Sequence, residues 1–300
     1  MNTQETKTIA KQMAKAAAKG HKAYMEAREN YFARDAVTHH VSAPEPLEWD
    51  AHTNLLEQVY TAFPDLEEHW GEIVVEDNRA IGRWVARATH EEEFQGTPAT
   101  GKTFSVNGIT IYHFDGGKVK EQWIHLDVMG MLQQLGVIPT TGDNPVPKPS
   151  LPDKITIQDG KQAQPNEKNK ELVRQYLLEV WGNWDYQLEK ELVANDFIDH
   201  GAPPNFPSGL EGHHQFLQMC ANGFPEVDIT VEDLISEGDK VGCRWTLTGE
   251  HQGEFMGVPA SGNDVVITGT DIHRIENEKL KETWPVVDML GMMNQMGAGS

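Results

Sequence analysis

The chain has 300 residues, 38% of them hydrophobic, which fills about two cores if a domain averages roughly 150 residues. A disordered tail, a fibre and a disulfide-stapled miniature are excluded. Its 46 acidic residues outnumber 25 basic ones and leave a net charge of -21, which repels nucleic-acid phosphates and anionic membranes, so neither is expected as a partner.

In chain order, Ile9, Met13, Ala16 and Ala17 recur at helical spacing ahead of Tyr24, and a short helix is predicted around Leu55, Leu56 and Val59. After Phe63-Pro64-Asp65 the pattern changes to strand alternation. One strand carries Trp84 and ends at His90, and residues 109–123 read as a hairpin about Asp115-Gly116-Gly117. A last strand runs to Asp127, and a short helix follows over 128–135. Prolines crowd 141–165 and favour an extended linker. The pattern then repeats, with Leu172, Val173, Tyr176, Leu177 and Val180 helical, residues 241–247 a strand and 289–296 a closing helix.

The repeat is an exact-register one. Shifted by 161 positions, residues 73–136 match 234–297 at 21 of 64 positions, including Trp84 with Trp245, His90 with His251, Trp123 with Trp284 and Asp127 with Asp288. Two α+β domains are predicted, 1–140 and 166–300, each with helices followed by a curved antiparallel sheet. The duplicated sheets are expected to pack on each other as an intrachain pseudo-dimer, with further homo-oligomerisation left open. No apolar stretch approaches the roughly 18 residues a membrane span requires, no leader-like apolar segment opens the chain, and Cys220 and Cys243 are too few for a disulfide framework. A cytoplasmic protein is expected.

Simple alternation would place Val119, Glu121, Trp123, His125 and Asp127 on one strand face, with Leu280, Glu282, Trp284, Val286 and Asp288 in the second copy. A carboxylate beside a tryptophan in a pocket is a candidate general base. An aspartate just ahead of a helix is equally an N-cap, and spacing supports both readings. His113 precedes Asp127 by fourteen residues and is a candidate acid/base partner; Arg274 stands in its place in the second copy. His39, His52, His90, Trp84 and Trp123, with His200, His213, His251, Trp245 and Trp284, suit pockets for a planar oxygenated ligand. The histidine spacing carries no metal signature, so no metal is expected, and the lack of phosphate-binding glycine loops leaves nucleotide cofactors unsupported.

The string from His251 to Gly262, then Trp284-Pro-Val-Val-Asp288 and Gly291 to Gly297, resembles the SnoaL-like polyketide cyclases of the NTF2-like superfamily, as do Gly96 to Gly101, Trp123, Asp127 and Gln133 to Gly136. The resemblance implies two cones of curved sheet closed by helices around an apolar pocket. It implies a cyclase or isomerase that uses no metal or cofactor and closes a small polyketide-like substrate by intramolecular aldol chemistry. Asp127 would be the acid/base, His113 the group that polarises the carbonyl, and Asp288 the second copy's carboxylate beside Arg274. A non-catalytic small-molecule-binding pseudo-dimer is the alternative.

Overall fold

Asn2 starts the first helix, α1 (Thr3–Ala17), through a capping box: its side chain accepts from the Glu5 amide at 3.0 Å while the Glu5 carboxylate accepts from the Asn2 amide at 3.0 Å. The structure, a computed structural model, describes residues 2–140, 148–157, 164–203 and 205–298. Of the predicted linker, 141–147 and 158–163 lie outside the described residues. Chain contacts divide the molecule into two units, Met1–Ile157 and Gln158–Ser300.

In the first unit α1 and α2 (His21–Tyr31) lead into β1 (Phe32–His40), α3 (Trp49–Ala62), β2 (Glu67–Glu76), β3 (Arg79–Thr89), β4 (Thr103–Asp115), β5 (Lys118–Leu126) and α4 (Val128–Leu135). A short β6 (Thr156–Ile157), from the stretch read as linker, pairs parallel with β2. The second unit runs α5 (Glu167–Gln175), which continues as a π-helical stretch over Tyr176–Trp181, then α6 (Tyr186–Leu192), β7 (Val193–Asp199) and α7 (Leu210–Gly223). It continues with β8 (Val227–Glu237), β9 (Lys240–Glu250), β10 (Asp264–Glu276), β11 (Lys279–Val287) and α8 (Met289–Gln295). The sheet orders are β1-β5-β4-β3-β2-β6 and β7-β11-β10-β9-β8, so strand order repeats with the sequence.

The expected cones are not formed. Closure requires hydrogen bonds between the two edge strands, and among the described residues β1 pairs only with β5, while β7 pairs only with β11. Each sheet is open, with helices laid on one face. The sheets are also mixed, since β1 and β7 run parallel to their neighbours while the central strands are antiparallel. No helix among the described residues is long and apolar enough to cross a membrane.

The helix-covered face of each sheet, called the inner face below, holds the core. In the first unit Met13, Ala14 and Tyr24 pack there against Trp84, Val106, Tyr112, Phe114 and Val119; in the second, Val173, Tyr176 and Leu177 pack against Cys243, Leu247, Val265, Ile267 and Leu280. Even-numbered β4 residues and odd-numbered β10 residues therefore point inward.

Candidate functional site

A one-residue bulge decides what the last strand presents. On β5, Glu121 pairs with His113 but Val119 pairs with Phe114, leaving Lys120 as the extra residue; on β11 the pairs are Glu282 with Arg274 and Leu280 with Ile275, leaving Lys281. Such a bulge reverses the faces of everything beyond it. Val119 and Leu280 thus enter the cores, whereas Glu121 and Trp123, like Glu282 and Trp284, point to the outer face, contrary to simple alternation.

On that outer face the predicted residues do assemble, but as a stacked and ion-paired surface. His39 stacks on Trp123 with ring centroids 5.0 Å apart, and its Nε2 lies 2.8 Å from Glu121 Oε1. His200 stacks on Trp284 at 4.9 Å, and its Nε2 lies 2.8 Å from Glu282 Oε1. Arg274 Nε donates to the other Glu282 oxygen at 2.9 Å. Burial pushes the Glu282 carboxyl up, but bonds from His200 and Arg274 outweigh it and hold it below its ordinary range. His113 joins this surface, tilted against Trp123 at 4.5 Å.

The expected His113–Asp127 pair is not formed. His113 sits opposite Glu121, whereas the Asp127 amide donates to Asn107, six residues back along β4. Nor does Arg274 meet Asp288, whose amide donates to Thr268, again six residues back. Asp127 Oδ1 accepts from the Gly130 amide at 2.7 Å and Asp288 Oδ1 from the Gly291 amide at 2.9 Å, so each caps the helix that follows. A Cβ at Gly130 or Gly291 would stand 2.1 Å from the other carboxylate oxygen, Oδ2, of the capping aspartate, which explains the glycine in both copies. Burial pushes both carboxyls above their ordinary range, only partly opposed by the cap bond. Asp127→Asn and Asp288→Asn should hence leave thermal stability nearly unchanged, while either alanine variant should cost about 1 kcal/mol in denaturant titrations. A turnover loss of ~10²-fold in Asp127→Asn without a stability change would return that residue to catalysis.

His90 and His251 are fully buried just beyond β3 and β9, each against a phenylalanine, Phe63 or Phe224, at 5.3 Å. Their Nδ1 atoms face Thr100 and Ser261 hydroxyls at 3.3 and 3.1 Å. Of the predicted pocket residues, Trp84 and Trp245 reach the centre of the inner faces. Trp84 Nε1 donates to Thr110 Oγ1 at 2.9 Å; Trp245 Nε1 donates to Asp271 Oδ2 at 2.7 Å.

Around Trp245 lies a polar cluster of which the sequence reading offered only His213 and Trp245 as pocket residues. Tyr176, buried at the start of the π-helical stretch, donates its hydroxyl hydrogen to His213 Nε2 at 2.7 Å. His213 Nδ1 faces Glu189 Oε1 at 2.7 Å, and the other Glu189 oxygen faces His214 Nδ1 at 2.6 Å. Burial raises the Glu189 carboxyl, yet the His213 and His214 bonds prevail and keep it below its usual range. It is an ionised acceptor for both rings. His213 then carries its proton on Nδ1 and offers Nε2 to the phenol. Burial pushes Tyr176 well above an ordinary phenol, so it stays protonated. His214 is partly exposed, which leads the chain towards solvent.

Next to Tyr176 stand His273, at a ring separation of 5.8 Å, and Asp271, two residues back on β10. Burial drives Asp271 up to about 7, against the Trp245 bond, and drives His273 down to about 3. His273 Nδ1 lies 3.0 Å from Thr283 Oγ1. The first unit differs at the matching positions, 161 residues earlier: Arg28 for Glu189, Thr110 for Asp271, Tyr112 for His273 and Gln122 for Thr283. His52 persists for His213, but its Nδ1 faces the Thr38 hydroxyl at 2.9 Å. The signal that could have found the second cluster was this replacement of neutral side chains by Asp and His at inward positions of an apolar strand.

The first unit's inner acid is Glu68, two residues from Trp70, whose Nε1 donates to it at 3.0 Å. Burial pushes Glu68 from 4.5 up to about 7. A raised folded-state pKa means stability fully present below about 4.5 and lost as pH rises through about 7. The melting temperature should therefore fall across that window. Glu68→Gln should remove about 1–3 kcal/mol of the decline, read by parallel melts at pH 4 and 8; identical pH profiles would contradict it.

Three comparisons bear on this geometry. The model of the SnoaL-like polyketide cyclase family matches residues 8–135 and again 171–296. Among solved structures, TsrD from Streptomyces laurentii is 26% identical, covering 45% of this chain and 98% of its own, with a TM-score of 0.42. AclR from Streptomyces galilaeus is also 26% identical, covering 46% and 99%, with a TM-score of 0.41. A SnoaL-like polyketide cyclase from Agrobacterium tumefaciens is 22% identical, covering 42% and 98%, with a TM-score of 0.36. No curated protein matches the chain significantly.

Proposed function

From a chain that belongs to the SnoaL-like polyketide cyclase family in both halves, we propose a cyclase or isomerase of a small, largely apolar oxygenated substrate whose proton transfers run on the second unit's inner face. The observation that carries this reading is the buried Tyr176–His213–Glu189 chain, with both of its bonds at 2.7 Å.

The chemistry follows from the donors. A substrate whose carbonyl acidifies a neighbouring C–H must lose that proton, and the oxygen that gains charge must receive one. The Tyr176 oxygen can take up a proton as its own passes to His213 Nε2, because Glu189 stabilises the imidazolium that forms. In the reverse sense the imidazolium returns a proton to Tyr176, whose hydroxyl hydrogen is then directed to the substrate oxygen. The apolar walls of Phe197, Leu217 and Val241 keep this exchange dry, which strengthens each charge-assisted bond. An aldol-type ring closure needs this pair of steps, and the relay supplies both without Asp127 or His113.

A second reading, ligand binding without chemistry, is favoured for the first unit by one observation. At the position matching Glu189 stands Arg28, buried and donating to the Thr53 hydroxyl at 2.8 Å, so His52 has no carboxylate there to stabilise its charged form.

The test is deuterium uptake at the acidic carbon of a β-keto ester surrogate in heavy water, followed by proton NMR. The unmodified chain should accelerate exchange and Tyr176→Phe should not, with melting temperatures alongside. Equal exchange by the two proteins would remove the relay from the mechanism.

A further inference from the structure

We propose that the second unit holds a divalent transition-metal ion, zinc foremost, between Cys243, Asp271 and His273. Three donor atoms converge there. Cys243 Sγ lies 3.7 Å from Asp271 Oδ2 and 3.6 Å from His273 Nε2, and the last two are 3.7 Å apart. The nitrogen–oxygen separation is too long for a direct hydrogen bond, which would draw a ring nitrogen and a carboxylate to roughly 2.7–3.2 Å. It suits two ligands of one ion. A point equidistant from the three atoms lies about 2.1 Å from each, against zinc bond lengths of about 2.3 Å to sulfur and 2.0–2.2 Å to nitrogen and oxygen.

The scaffold around the three is built for fixed ligands. Asp271 and His273 are alternate residues on β10, and Cys243 on β9 is the cross-strand partner of Asp271, so one patch of central sheet presents all three. All are buried, at 0% exposure for Cys243, 6% for Asp271 and 1% for His273. The Thr283 hydroxyl at 3.0 Å from His273 Nδ1 can accept a hydrogen bond from that nitrogen, which leaves the Nε2 lone pair free to ligate. Trp245 Nε1 fixes the carboxylate at 2.7 Å and still leaves Oδ2 a second lone pair.

Charge argues the same way. A thiolate and a carboxylate together balance a doubly charged ion, so the loaded cluster is neutral and its burial carries no net charge. Three protein ligands leave a fourth tetrahedral position for water or for a carbonyl or enolate oxygen, the arrangement of a reactive zinc rather than of a closed structural one. The first unit has Gly82, Thr110 and Tyr112 at the three matching positions and cannot form the site. None of the three ligands belongs to the Tyr176 relay, so the metal site and the proton relay stand or fall separately.

The probe is Co²⁺, added to the full chain after treatment with a chelator and dialysis, with zinc competition to rank affinity. One cobalt per chain should bind, giving visible ligand-field bands of tetrahedral strength and a near-ultraviolet sulfur-to-cobalt charge-transfer band. Cys243→Ser should lose the charge-transfer band while Cys220→Ser keeps it. His273→Gln should weaken binding by ~10-fold or more, and it decides the matter should Cys243→Ser fail to fold by circular dichroism. Tyr176→Phe should bind cobalt as the unmodified chain does. A folded chain without these bands, a charge-transfer band that survives in Cys243→Ser, or unchanged affinity in His273→Gln would overturn the proposal.

Discussion

Glu189→Gln should lower catalysed proton exchange by ~10²-fold or more while the protein stays folded. The glutamine keeps the volume and still offers His213 one oxygen acceptor, so the neutral tautomer that accepts from Tyr176 survives. What disappears is the negative charge. An imidazolium at His213 is stabilised most directly by the adjoining carboxylate, and without it the step that takes the phenol proton becomes less favourable. The effect should fall on kcat with little change in KM, because Glu189 touches the relay and not the substrate. His214 loses its carboxylate partner too, which cuts the route to solvent. A variant that unfolds would show in the melt, and Glu189→Asp should then recover part of the exchange by restoring the charge.

Gly269→Ala should strongly destabilise the second unit with a single methyl. Gly269 lies beneath the Trp245 indole, where a new Cβ would stand 2.3 Å from Cζ2 and 2.6 Å from Cε2. Contacts that close cannot persist, so the ring must move away from the strand. Its movement breaks the 2.7 Å bond to Asp271 and leaves a buried carboxyl short of a donor. Overpacking costs about 1–3 kcal/mol and the lost partner a further 1–3 kcal/mol, which together lower the melting temperature by on the order of 5–15 °C. Gly108→Ala makes the same clash with Trp84 but loses only a bond to Thr110, a neutral hydroxyl, and should cost less. Equal losses in the two variants would show that packing alone, without the Asp271 bond, sets the cost.

The sequence carried the fold further than the site, and particular residues show why. The 161-residue register, the Gly116-Gly117 turn and the helical stripe through Met13 and Ala17 are local or internal signals, and each is present in the structure. Parallel edge strands were not legible, because the pairing of His39 with Trp123 joins residues 84 positions apart and leaves no local period. Closure into a cone was carried over with the family resemblance, and it fails because β1 and β6 stay on separate edges of one sheet, as β7 and β8 do of the other. The single residues Lys120 and Lys281 upset the facing of the last strand: a bulge has no compositional mark, yet it turns Trp123 and Trp284 away from the helices. Asp127 was legible as either base or cap, and its 2.7 Å bond to the Gly130 amide places it at the helix end. Tyr176 belongs to the helical stripe legible in the sequence, but its hydroxyl partner, His213, lies 37 residues on and only the fold unites them.

The central claim is that proton chemistry belongs to the second unit's inner face and not to its counterpart in the first. His213 and His52 occupy matching positions, on α7 and α3, and both are buried. The direct measurement is the deuterium uptake of the β-keto ester with His213→Gln and His52→Gln, each normalised to its folded fraction by thermal melt. The relay predicts that His213→Gln loses ~10²-fold or more, since glutamine cannot carry the proton between Tyr176 and Glu189, and that His52→Gln stays within about threefold of the unmodified chain. Equal losses in the two, or a larger loss in His52→Gln, would contradict it.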